Sequence, residues 1–380
     1  MISMYRRSFL IIMLAMGLAV NGAGQYGNDI YYSDRTIDPA DSSSLFLRFG
    51  GSAFLNNKEF FNVYQPGYTL IGFYMQPQLE YYPGPSTMLR AGVHLLKYSG
   101  MGEFHKAIPT FTVHHSFAPG FDLVFGSLYG SLNHGMIEPL FKFERVFTHH
   151  NESGLQLLID MDFVEADIWL NWERFIFTGS PFQEEFTAGF SSRIFPGDRE
   201  GRFRLELPVQ LLGTHLGGQI DVSGEAIQTL INFAGGIVAE WFVDGPVVES
   251  VGFRGYVAGF ADQSNRLRYP YDRGWGVYPN IHVRTRWVEG GLGYWVGNRF
   301  VAPRGEPVFQ SVSRVDPDIA EPHRELLTAK IIHNRRLVRG LKMGLRFEVY
   351  YDPPARLLDH SGGLHIMIDE RFFITKLKSR

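Results

Sequence analysis

Residues 164–173 read Val164-Glu165-Ala166-Asp167-Ile168-Trp169-Leu170-Asn171-Trp172-Glu173. In an extended chain successive side chains point to opposite faces. Val164, Ala166, Ile168, Leu170 and Trp172 therefore share one side, and Glu165, Asp167, Trp169, Asn171 and Glu173 share the other. A strand needs roughly 9–11 residues to cross a hydrocarbon layer at a tilt, and this run has that length. It reads as a strand with one apolar and one polar face.

The same period recurs on both sides of it. Leu155, Leu157, Ile159, Met161 and Phe163 oppose Gln156, Asp160 and Asp162. Phe203, Leu205, Leu207, Val209 and Leu211 oppose Arg202, Arg204, Glu206 and Gln210, with Pro208 predicting a bulge or an early end there. Late in the chain, Ile281, Val283, Thr285 and Trp287 oppose His282, Arg284 and Arg286. Leu341 to Tyr351 alternate in the same way against Lys342, Arg346 and Glu348. Turn signals separate the runs, among them Pro83-Gly84-Pro85-Ser86, Ala118-Pro119-Gly120 and Pro196-Gly197-Asp198. Longer polar stretches fall near 55–67, 212–224, 261–275 and 299–323. Segment counting gives about 16 strands, within a range of about 14–18.

Composition narrows what such a chain does. There is no cysteine, which removes disulfide scaffolds and Cys-ligated metal sites. Net charge is -3, so nothing points to nucleic acid. Phe, Tyr and Trp make up 15% of residues. They cluster at run ends, as at Tyr81-Tyr82, Trp172–Phe177, Trp241-Phe242, Tyr294-Trp295, Tyr350-Tyr351 and Phe372-Phe373, where interfacial girdles would lie. A mean hydropathy of -0.09 suits strands that expose every second residue to lipid.

The N-terminus reads as an export signal. Arg6 and Arg7 precede the apolar run Phe9–Val20, and the small residues Gly22, Ala23 and Gly24 follow it. Beyond it the sequence holds no apolar stretch of helical-span length, which leaves the closed barrel as the spanning solution. The expected organisation is a signal peptide at 1–24, a polar N-terminal segment at 25–43, an all-β up-and-down antiparallel transmembrane barrel at 44–374 and a basic tail at 375–380.

On these runs, girdles and signal the chain resembles the porin-like outer-membrane β-barrels of Gram-negative bacteria. Its last alternating segment, Gly363 to Phe373, resembles the terminal strand read by the barrel assembly machinery, although Ile374 to Arg380 follow it. The resemblance implies an outer-membrane location, lipid contact outside and passage of small polar solutes inside.

If the polar faces line a lumen, its charges are Glu144, Asp160, Asp162, Glu165 and Asp167 from the middle of the chain, and Arg202, Arg204, Arg284, Arg286, Lys342 and Arg346 from later. Two arrangements follow. Either an acidic wall faces a basic one across open water, or the charges pair across neighbouring strands and plug a narrow interior. The proline-rich stretch 299–323 reads either as an exposed surface loop or as a loop folded inward to narrow the pore. His114-His115 and His149-His150 read as strand doublets, whose rings point to opposite faces and cannot chelate together. No cofactor or metal site is expected. A hydrolase would need Ser beside His; His114-His115-Ser116 offers both but without triad spacing, and Asn133-His134-Gly135 is no stronger, so the chain reads as a non-enzyme. A non-conducting accessory barrel is the third reading, with 25–43 and the tail from Lys376 to Arg380 as contacts for periplasmic partners. Oligomeric state is not legible.

Overall fold

The computed structural model describes residues 25–316 and 318–377. The expected signal peptide at 1–24 lies outside the described residues. Sixteen strands form one sheet: β1 (Ser44–Glu59), β2 (Tyr68–Gly84), β3 (Thr87–Tyr98), β4 (Lys106–Ala118), β5 (Phe121–Ser127), β6 (Ser153–Met161), β7 (Val164–Arg174), β8 (Glu185–Ile194), β9 (Phe203–Leu216), β10 (Gln228–Phe242), β11 (Val248–Asp262), β12 (Arg273–Thr285), β13 (Glu289–Asn298), β14 (His323–Val338), β15 (Leu341–Asp352) and β16 (Leu357–Lys376). Each pairs antiparallel with its neighbours in sequence, and β1 pairs with β16 from Ser44↔Lys376 to Glu59↔His360. That last pairing closes the barrel.

The alternation reads out as expected. Ile168, Leu211, Phe233, Ile281, Leu327 and Phe347 are exposed on the outer wall, while Asp167, Gln210, Asn232, His282, Thr328 and Glu348 are buried inside. At three mid-strand prolines the ladder skips a pair, because proline has no N–H to donate. The β2–β3 pairing skips Gln76-Pro77, the β9–β10 pairing skips Leu207-Pro208, and the β12–β13 pairing skips Tyr278-Pro279. Pro208 thus interrupts one ladder without ending its strand. The girdle assignment needs correcting: Trp172, Trp241, Phe372 and Phe373 do face outward, but Tyr82, Trp295 and Tyr350 are buried inside.

A barrel of 16 strands encloses more space than wall side chains fill. Three segments of the chain occupy it. Residues 25–43 run inside the wall, where Gln25 donates to the Phe141 carbonyl (2.9 Å) and Arg346 donates to Asn28 (2.8 Å). Residues 128–152, between β5 and β6, contribute Met136, Ile137, Leu140, Phe141 and Phe147 to the interior core. Residues 299–322 contribute Phe300, Val301, Val308 and Phe309. The last two segments touch so closely at Gly305 that a Cβ there would lie 1.8 Å from the Pro139 carbonyl oxygen.

Charges hold these segments to the wall. Lys58 bridges Glu144 (3.2 Å) and Glu306 (3.1 Å), one from each of two segments. Lys330 contacts Glu138 and lies 3.1 Å from Glu348. His134 is held on both ring nitrogens, by Asp167 (3.0 Å) and Glu152 (3.1 Å), and stacks on Trp169 at 3.7 Å. Burial alone would lower its pKa, but the two carboxylates outweigh burial and hold it up at about 9.

Two outcomes are expected. The unfolded chain's imidazole titrates near ~6.5, so the stabilisation from a charged His134 is fully present below that pH and is lost as pH rises through about 9. Trp169 fluorescence, taken as the difference between wild type and Trp169→Phe, should change with a midpoint near that value and lose the transition in His134→Asn. The packed lumen should also conduct far less than an open barrel in planar bilayers, and deleting 304–320 should raise conductance; an unchanged current would show that this segment does not obstruct.

Candidate functional site

The short turns, the start of β1 and the end of β16 lie at one rim, and the longer connections lie at the other. In bacterial barrels the first rim is periplasmic and the second external. A cavity of about 1530 Å³ opens at the short-turn rim. Asp160, Asp162, Glu165, Asp167 and Arg204 line it, together with Asp34 and Arg35 of the N-terminal segment. The other expected lumen residues are placed differently. Glu144 lies on no strand but on the inserted segment 128–152, paired to Lys58. Arg284, Lys342 and Arg346 are on inward-facing positions, whereas Arg202 and Arg286 are exposed at the short-turn rim.

The charges do not segregate into opposed walls. Arg204 lies 2.9 Å from Glu206, Arg284 lies 3.0 Å from Glu289, Arg346 lies 2.7 Å from Glu348, and Arg193 contacts Glu165. These are pairs on one strand or on adjacent strands, the arrangement that neutralises a wall.

The serine and histidine side chains at this cavity, His134, Ser191 and Ser116, are each held by other groups. His134 has both nitrogens engaged, and Ser191 donates to the His134 carbonyl (2.5 Å). Ser116 donates to Asp122 (2.5 Å), which stands between it and His114 (3.2 Å). His115 points to the other face and meets Thr87 (2.9 Å).

A different arrangement occurs at the external rim. β5 stops at Ser127 and β6 begins at Ser153, although their flanking strands continue, β4 up to Lys106 and β7 to Arg174. The last β4–β5 pair is Thr112↔Gly126, so residues 106–111 of β4 have no partner on that side. Gly126 has a φ of +94°, a backbone turn that L side chains resist, and a Cβ there would lie 2.1 Å from the Phe111 carbonyl. The wall is therefore notched over two strands. Pro109 stands in the exposed edge of β4 and spares it one donor.

The notch is filled by the end of the inserted segment, a single helical turn α1 (Arg145–Thr148) followed by His149 and His150. The two histidines do not form a strand doublet as expected. His150 stacks on Tyr74 at 4.4 Å, and its pKa falls to about 4 through burial. His149 is exposed. Its Nδ1 lies 2.8 Å from the Thr148 hydroxyl, and that hydroxyl also donates to the Glu144 carbonyl (3.2 Å). A hydroxyl that gives its one hydrogen to a carbonyl can only accept from the ring. With the hydroxyl donating to the carbonyl, the ring proton is on Nδ1 and Nε2 carries the free lone pair; with the hydroxyl donating to Nδ1, the proton is on Nε2. Nε2 has no hydrogen-bond partner among the described residues.

Partial desolvation of the ring, followed by the cations Arg145, Lys106, Lys142 and Arg304, lowers the His149 pKa below the usual imidazole range. It is neutral at physiological pH. Lys106 donates to the Thr148 carbonyl (3.0 Å), and Arg304 reaches Glu173 (3.1 Å) and Glu185 (2.5 Å) beside the notch. Sequence reasoning missed Thr148, His149 and Lys106 as a group. The available signal was the stretch Ser127 to Glu152, which is apolar at 136, 137, 140, 141 and 147 and lacks period two.

The architecture is that of the porin-like barrels, and a closed barrel with an apolar outer belt belongs in the bacterial outer membrane. Three solved structures are similar to this chain. Acinetobacter baumannii OccAB4 is 9% identical, over 88% of this chain and 100% of that one, with a TM-score of 0.48. The Pseudomonas aeruginosa outer membrane protein OprD is 8% identical, over 90% and 98%, with a TM-score of 0.49. An anion-selective porin from Comamonas acidovorans is 8% identical, over 87% and 99%, with a TM-score of 0.46. No curated protein matches the chain. The model of a family of enzymes, described as lipid A 3'-O-deacylase-type, matches residues 37–377 and overturns the reading of the chain as a non-enzyme. The chain belongs to the lipid A 3'-O-deacylase-type family.

Proposed function

We propose that this protein hydrolyses an acyl ester of a lipid A-type glycolipid, with His149 at the wall notch as the general base. The observation that carries the reading is an exposed histidine, hydrogen-bonded to Thr148 and set beside Lys106, where β5 and β6 stop short of their flanking strands. Family membership supports the reaction class.

The chemistry follows from those atoms. Nε2 of His149 takes a proton from water as the oxygen attacks the ester carbonyl. Negative charge develops on the carbonyl oxygen, and the cationic surroundings of Lys106, Lys142 and Arg145 favour it. The tetrahedral species collapses with cleavage of the acyl C–O bond. The leaving alkoxide recovers the proton from His149, giving a free fatty acid and a lipid alcohol. In this reading the substrate approaches the notch from outside the barrel and does not enter the packed lumen.

Mass spectrometry of a lipid A substrate incubated with detergent-solubilised protein should show loss of one acyl chain. His149→Gln should lower the rate by about 10²-fold or more. Thr148→Val, which removes the hydrogen bond at Nδ1 that orients the ring, should cost about 10-fold or more at unchanged KM. Ser116→Ala should leave the rate unchanged. With His149 neutral well below physiological pH, the rate should not fall between about pH 8 and 5 on its account. Full activity in His149→Gln would remove the proposal.

A further inference from the structure

The wall has a second unpaired edge, at the opposite rim. β13 and β14 pair from Asn298↔His323 to Glu289↔Ile332, and there β13 ends. β14 runs on for six residues to Val338, bonded only to β15 on its other side. No backbone group of Asn334 to Val338 bonds to anything else among the described residues. The adjoining turn between β12 and β13 carries Trp287 and Val288, both exposed. Side chains of that kind mark the membrane interface, so the β14 extension stands beyond the apolar belt. It must, because an open strand edge is not tolerated in hydrocarbon.

What stands on this edge is specific. Arg335, Arg336 and Arg339 are exposed, and Arg335 and Arg336 form no ion pair among the described residues. Arg339 reaches Glu370 (3.3 Å) but remains 86% exposed. Leu337 and Val338 are exposed between them, where a register shift with β15 turns the strand. Arginines along an edge repel a second copy of the same edge, which guards against self-pairing. The same charges favour an acidic strand, and the two apolar residues offer it contact. We propose that the β14 extension docks an extended acidic segment of a periplasmic partner by strand addition, with main-chain hydrogen bonds to Asn334–Arg336 and carboxylates on Arg335 and Arg336.

The test uses the full-length protein in detergent and a fluorescein-labelled octapeptide of alternating glutamate and valine. Fluorescence anisotropy should show saturable binding at low salt. Arg335→Glu with Arg336→Glu should weaken it by about tenfold or more, with heat-modifiable gel migration confirming that the barrel is intact. Methylating alternate backbone nitrogens of the peptide should abolish binding, because strand addition needs those donors. Equal binding of the methylated peptide would reduce the site to a charged surface and overturn the proposal, as would absence of saturable binding. Loss of binding to phosphatidylglycerol vesicles in the double variant, with no peptide binding by wild type, would reassign the patch to lipid phosphates and also overturn it. None of these outcomes depends on ester hydrolysis at His149.

Discussion

The β1–β16 pairing is the contact on which everything else depends. In hydrocarbon each unpaired N–H or C=O costs several kcal/mol, roughly as much as a core substitution. A sheet of sixteen strands with one open seam would expose a whole strand's worth of such groups. Closure removes them, and the long register of β1 with β16 extends through the full length of β1. Alternation then follows by geometry: whatever faces out meets lipid, and whatever faces in meets the lumen.

Closure at this circumference creates a second problem, a lumen too wide for wall side chains to fill. Here the chain fills it with its own segments, and their polarity matches a wall already lined by Asp167, Gln210, Asn232 and Glu348. Lys58, Lys330 and Arg346 are buried and each meets carboxylates. Such pairs contribute little net stability relative to an apolar core, yet removing one partner strands a buried charge at a cost of about 3–5 kcal/mol. They therefore act mainly to fix where each inserted segment sits, including where α1 emerges.

The strands were legible because one residue's neighbours on a sheet are set by period two, which a single sequence displays. The inserted segments were not, because their partners are scattered over many strands. Glu144 alternates like its neighbours in no useful way, and only Lys58 and Tyr68 explain it. The aromatic pairs misled for a related reason: at Tyr350-Tyr351 one ring faces the core and the other does not, since adjacent residues cannot share a face. His149-His150 were read as strand because they abut one, and the shortening of β5 and β6 that displaces them leaves no mark in composition. The enzyme class was missed for that reason: its candidate base rests on a hydroxyl and a carbonyl of the same helical turn, contacts that exist only once the wall is notched.

The notch itself reconciles two demands that otherwise conflict. A hydrolytic site acting on a membrane lipid must be reachable from the bilayer, while a barrel must not open its backbone to that bilayer. Ending two strands early at the external rim keeps the exposed edge short. Pro109 removes one donor from it, and Lys106 ties α1 across it. The polar groups at the gap belong to a segment anchored from within by Arg145, which lies 3.8 Å from Glu152 and 3.9 Å from Glu173. The side chains that pack the lumen and those that shape the notch are therefore one structure. The proposed base at His149 thus stands at the end of a segment whose buried residues Val146 and Phe147 pack in the interior, so the packing of the lumen sets its position.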